Sequence, residues 1–151
     1  MIIVVFSALV LAAGFLGYRH WKTQTGTNEE KFLKGTIPAE LPDGLYHGSV
    51  TGLKTTWQGK KFDRAKQTGI NVFAKNGVTA DNYPFKTYVA DGLADPQVRV
   101  IKIDYNLPSN PLWLRFILDE IVQVAPDEYL GKLHIRTPLV SIALGYFTLK
   151  K

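Results

Sequence analysis

Residues 2 to 18, Ile-Ile-Val-Val-Phe-Ser-Ala-Leu-Val-Leu-Ala-Ala-Gly-Phe-Leu-Gly-Tyr, contain no charged side chain. As a helix this run reaches roughly 26 Å at about 1.5 Å per residue, close to the hydrocarbon thickness of a bilayer. It has no polar stripe of the kind a soluble helix shows. A cleaved signal peptide would begin with basic residues and end in a small-x-small site. Only the α-amino group precedes this run, and cleavage after Ala13 would put Leu11 where a small residue is wanted. The charges come afterwards, at Arg19, His20 and Lys22, with Tyr18 and Trp21 at headgroup depth. The sequence therefore predicts a retained single-pass anchor over residues 2–18, within an anchor-and-flank segment 1–22. The basic C-terminal flank predicts that the remaining domain faces the cytoplasm.

All 18 Lys+Arg and 13 Asp+Glu lie beyond the run, so the rest of the chain carries the whole net charge of +5. A basic domain beside anionic headgroups gains surface attraction. The charges are scattered rather than clustered, which argues against nucleic acid as a partner. The chain has no cysteine, which excludes disulfides, thiolate metal sites and Cys nucleophiles.

Residues 23–43 read as a linker with a short helix. Thr27-Asn28-Glu29-Glu30 has the form of a capping box with Thr27 as N-cap, and Lys34-Gly35 would close the helix after about two turns. From residue 44 to 151 the pattern is that of strands, expected at roughly 45–53, 56–63, 68–75, 84–91, 97–106, 113–124, 128–136 and 140–149. Asn76-Gly77 marks a hairpin, because that pair accepts positive φ at low cost. Ala125-Pro126-Asp127-Glu128 marks another. Residues 98–105 change alternation phase midway, which implies a bulge or burial on both faces. Residues 112–118 fit either a strand or a short amphipathic helix. Eight short antiparallel strands must hide their edges in a sandwich or a closed barrel, and repeated hairpins favour an up-and-down barrel. The expected class is therefore mainly β: a roughly eight-stranded antiparallel barrel behind one transmembrane helix and a linker helix. At eight strands a lumen holds packed side chains or one small ligand.

Trp57-Gln58-Gly59-Lys60-Lys61-Phe62, followed by Gly69-Ile70-Asn71-Val72-Phe73, resembles the opening of lipocalin-like (calycin) barrels. It is similar in particular to a group named for its GXWXG motif, with Thr55 standing where that motif has its first glycine. The stretch from Asp119 to Lys132 resembles a late hairpin of such domains. The resemblance implies a Trp near the closed end of a barrel and a small hydrophobic ligand inside it.

Three sets of residues are candidates for chemistry. Trp57 and Phe62 would line an apolar pocket or plug the barrel as core. Tyr88, Asp104, Tyr105 and Asn106 would orient a ligand carbonyl or hydroxyl, or satisfy local backbone groups at a strand end. Arg115, Asp119, Glu120, His134 and Arg136 would provide a carboxylate–His pair and a cation for a ligand carboxylate, or form exposed cross-strand pairs. Asp119 and Glu120 are adjacent on a strand, so they face opposite sides. His20, His47 and His134 show no metal-ligand spacing, and no phosphate loop, nucleophile elbow or dinucleotide fingerprint occurs. No cofactor is expected.

The expectation is a membrane-anchored barrel that binds a small hydrophobic, lipid-like ligand in its lumen. Its expected ligand-binding residues are Trp57, Phe62, Tyr88, Tyr105, Arg115 and His134. An enzyme using Asp104, Tyr105 and His134 on a lipophilic substrate is the second reading. The third is an interaction module that docks a partner through Leu112, Trp113, Leu114 and Phe116.

Overall fold

A computed structural model of the chain describes residues 2–151, and side chains from residue 8 onward. Helix α1 (Ile2–Thr23) and helix α2 (Thr27–Leu33) precede eight strands. These are β1 (Gly44–Ser49), β2 (Trp57–Asp63), β3 (Thr68–Lys75), β4 (Val78–Asp91), β5 (Arg99–Asp104), β6 (Ile117–Ala125), β7 (Glu128–Arg136) and β8 (Ser141–Lys150). Each strand pairs antiparallel with the next and β8 returns to β1, giving a closed up-and-down barrel with no free sheet edge.

Local chemistry places the turns. Asn76 and Gly77 both have positive φ (53° and 77°), as a two-residue hairpin with its primed turn requires. Asp127 has φ 55° between Pro126 and the Ala125–Glu128 pair. Strand β4 begins at Val78 rather than near residue 84, because Tyr83 takes φ 58° and the register shifts there instead of ending. Residues 114–116 form a single 3₁₀ turn, and β6 starts at Ile117. In β5 the phase change reflects burial on both faces, since Val100 to Tyr105 are all buried.

One expectation is corrected. Thr27 is the first helical residue of α2, not its N-cap. Gly26 (φ 100°) holds that position, with no side-chain cap. Among the described residues no helix is long and apolar enough to cross a membrane. Part of the run 2–18 expected to do so lies outside the described side chains.

The lumen is filled by rings. Tyr46, Phe62, Phe85 and Tyr105 meet edge-to-face in sequence at 5.7, 5.5 and 5.7 Å between centroids. The Phe85 ring lies over Gly69 and the Phe147 ring over Gly131, where a Cβ would come within 2.3 and 2.1 Å of the ring. Leu114 belongs to this core, and Ile37 and Leu41 pack against it from the chain leading into β1.

A smaller apolar cluster (Phe32, Val98, Val100, Val122 and Leu130, with Tyr146) sits on the outer face. There α2 and the β4–β5 connection cover β5 to β8. The chain runs past β8 first: Arg19 donates to the Leu144 carbonyl, and the Ala143 N–H donates to His20 Nδ1 at 3.0 Å. Further on, Tyr146 donates to the Thr23 carbonyl at 3.0 Å. Contact thus moves from residues 143–144 to 146 as α1 advances from 19 to 23, so helix and strand run in the same direction. The earlier part of α1 projects past the end where β8 begins. That end, which also carries the β1–β2, β3–β4 and β5–β6 connections, is the upper end of the barrel.

The ladders are unequal. Strands β7 and β8 pair over nine residues, whereas β1 and β8 pair only at His47–Lys150, Gly48–Leu149 and Ser49–Thr148.

Candidate functional site

In the upper lumen, strand alternation turns Lys60 inward in phase with Phe62, opposite Tyr46 and Asn71 on the flanking strands. Its ammonium is 3.0 Å from Asp119 Oδ2 and donates to Asn71 Oδ1 at 2.9 Å and to the Tyr105 hydroxyl. The rings of Trp57, Phe85, Tyr105 and Phe147 stand 5.1–5.4 Å from it. Trp57 Nε1 shares the Asn71 oxygen at 3.0 Å, while Tyr105 donates to Asp119 at 3.2 Å. Burial drives the Lys60 pKa down against the pull of Asp119, and drives that of Tyr105 up. All three ammonium protons have acceptors, and Asp119 Oδ1 is the one oxygen of the cluster without a partner. The group fills the upper lumen with an ion pair inside an aromatic shell.

On the outer face, Lys102, Glu120 and Lys132 lie side by side on β5, β6 and β7. All three are at most 3 % exposed. Glu120 Oε1 accepts from Lys102 and from the Leu93 N–H at 2.7 Å. Lys132 is 2.6 Å from both Glu29 and Asp95, and donates to Gln24 at 3.2 Å. This ammonium therefore joins α2, the α1–α2 link and the β4–β5 connection to the barrel. His134 is fully buried, with Nε2 3.9 Å from Glu120 Oε2 and neither ring nitrogen hydrogen-bonded. Burial, reinforced by Lys132 and Lys102, lowers its pKa to about 4, so the ring is neutral at pH 7.

A third group lies near the upper rim. Tyr88 donates to Asp104 at 3.1 Å, and Arg136 grips the same carboxylate with two nitrogens at 3.1 and 3.3 Å. Burial opposes ionisation of Asp104, but the Asn106 N–H and the Arg136 fork hold its pKa below the usual carboxylate value. Arg115 bonds Asn106 at 3.1 Å beside a shallow recess of about 430 Å³ lined with Leu112, Phe116 and Arg136.

The six expected ligand residues thus divide among three places. Trp57, Phe62 and Tyr105 meet in the lumen, Tyr88 and Arg115 lie on the outer rim, and His134 is enclosed on the outer face. Asp104, Tyr105 and His134 do not converge. Leu112, Trp113 and Phe116 are exposed while Leu114 is buried. Sequence reasoning passed over Lys60, Lys102 and Lys132. For Lys60 the signal was its phase with Phe62. For the other two, the cover supplied by α2 and residues 92–98 had no signature in the strands themselves.

A groove of about 980 Å³ runs along the junction of α1 with β8 and the β1–β2 connection. Val50, Leu53, Leu144 and Phe147 form its apolar wall, Arg19, Trp21 and Lys22 border it, and no carboxylate lines it. Comparison with protein-family models, with curated proteins and with solved structures finds no match.

Proposed function

We propose that the chain is a membrane-anchored β-barrel that binds a small lipophilic molecule outside its lumen, in the groove between α1 and β8. The observation that carries this is the groove's position. It lies at the foot of a helix whose residues 8–15 are uncharged and exposed, where Arg19 and Lys22 begin the polar flank. An exposed apolar rod fixed to a folded domain needs a cover, and a bilayer supplies one. Apolar walls with two cations and no acid suit an amphiphile with a polar or anionic end. The lumen is a poorer site, because rings and the Lys60–Asp119 pair already occupy it. The basic flank argues for a cytoplasmic barrel, and the closed eight-stranded barrel accords with the lipocalin-like resemblance.

The test uses the full chain in detergent micelles, with mass spectrometry of the lipids that co-purify and fatty-acid titration followed by Trp fluorescence. Trp21 borders the groove and Trp57 packs on its wall residue Phe147, so Trp21→Phe should diminish the emission change while Trp113→Phe leaves it intact. A chain that retains no lipid and shows no emission change contradicts the proposal. A response left at full size by Trp21→Phe moves the ligand elsewhere.

A further inference from the structure

We infer that the upper end of the barrel is itself a bilayer-contacting surface, which seats the domain on the membrane instead of leaving it to swing from α1. This rests on the reading of α1 as a membrane segment, and three independent features of the barrel point the same way.

The first is apolar exposure. The four upper connections and the strand ends beside them present Leu53, Val78, Leu112 and Trp113 at 62–69 % exposure and Leu139 at 93 %, with Phe116 and Val140 nearby. Apolar side chains scattered over a surface need no explanation, but these fall on consecutive turns at one end of the barrel. Trp113 stacks edge-to-face on Tyr83 at 6.0 Å, an amphipathic aromatic pair of the kind found at membrane interfaces.

The second is charge. The same connections and the strand ends beside them carry Lys54, Lys75, Arg115 and Arg136, with Asp104 as the carboxylate, gripped by Arg136. The opposite end holds Glu40, Asp43, Asp63, Asp91, Asp95, Asp127 and Glu128 against Arg64, Lys66, Arg99, Lys150 and Lys151. The basic surplus therefore lies at the apolar upper end, which suits anionic headgroups, while the opposite end is mixed with a small acidic surplus.

The third is direction. α1 runs down β8 from the upper end, so its apolar portion leaves the barrel on the side where these turns lie. Anchor and loop tips would enter one bilayer together, and no rotation of the domain is needed to bring them there.

The chain has no cysteine, so Leu11→Cys, Leu53→Cys, Leu139→Cys and Lys66→Cys each accept a single environment-sensitive fluorophore. Full-length labelled variants are reconstituted in vesicles of phosphatidylcholine and phosphatidylglycerol containing lipids brominated on their acyl chains. Quenching is expected at positions 11, 53 and 139 and not at 66, and it should weaken at 53 and 139 when phosphatidylglycerol is omitted. If 53 and 139 stay as unquenched as 66 while 11 is quenched, the seated surface is overturned and the anchor stands. If 53 and 139 are quenched and 11 is not, the surface stands and the anchor reading fails. Quenching at 53 and 139 that ignores phosphatidylglycerol overturns the preference for anionic lipid.

Discussion

Asp119 and Glu120 are neighbours in the chain, yet each neutralises a lysine on the opposite side of the same sheet. Asp119 meets Lys60 inside the lumen at 3.0 Å, and Glu120 meets Lys102 beneath the outer cover. Each carboxylate offsets part of the cost of burying a cation, and neither can stand in for the other.

Asp119→Asn would leave the Lys60 ammonium among four rings without its counter-charge. The expected loss is about 3–5 kcal/mol of unfolding free energy, the range for breaking a buried pair. Urea denaturation measures it. The double variant Lys60→Met/Asp119→Leu should recover much of that loss, because both charges are then gone. A single variant as stable as the parent would show that the pair does not hold the lumen.

His134 gives the protein a pH dependence of defined sign. Its folded pKa of about 4 lies below the 6.5 of an unperturbed histidine, so below pH 6.5 the unfolded chain binds a proton that the native state excludes. Stability should fall as pH drops from about 6.5 toward 4, by up to roughly 3 kcal/mol from this group. His134→Leu should flatten that part of the profile of melting temperature against pH. An unchanged difference between pH 7 and pH 4.5 would contradict the assignment.

Lys132 is the point at which the helical cover is fastened. Lys132→Met strands Glu29 and Asp95 beneath the cover and removes the Gln24 bond. Residues 24–35 should become sensitive to limited proteolysis while the β-sheet circular dichroism signal persists. Equal protection in variant and parent would place the fastening elsewhere.

Gly131→Ala would push a methyl group to within 2.1 Å of the Phe147 ring. The barrel must then shift a strand or a ring, and the expected cost is about 1–3 kcal/mol. Thermal denaturation checks it, and a neutral result would mean that Phe147 has room to move.

Much of the barrel was legible because its signals are local. Asn76-Gly77 and Pro126-Asp127 specify their turns within a few residues, and the strands between them alternate. Strand β4 is longer than the expected 84–91 because a register shift at Tyr83 carries the pairing back through Pro84 to Val78. The N-cap of α2 was misplaced because Gly26 needs no side chain to take the cap position. The candidate site was legible only in part. Opposite facing of Asp119 and Glu120 follows from strand period alone, but enclosure of His134, Lys102 and Lys132 depends on residues tens of positions away. Hairpin pairing brings Glu120 near His134, and the two side chains stand 3.9 Å apart, with Lys132 directly across from Glu120 in the register.

The three-rung junction between β1 and β8 has a consequence for how this cylinder breathes. A ring of staves parts where the fewest hydrogen bonds bridge two of them, and here that joint borders the α1 groove on one side and the Trp57–Phe147 pair on the other. Amide protons of Gly48 and Ser49 should exchange with solvent before those of β6 and β7. Each such parting exposes the packed Trp57 and Phe147 rings toward the groove, so this seam is where the barrel core should first meet solvent.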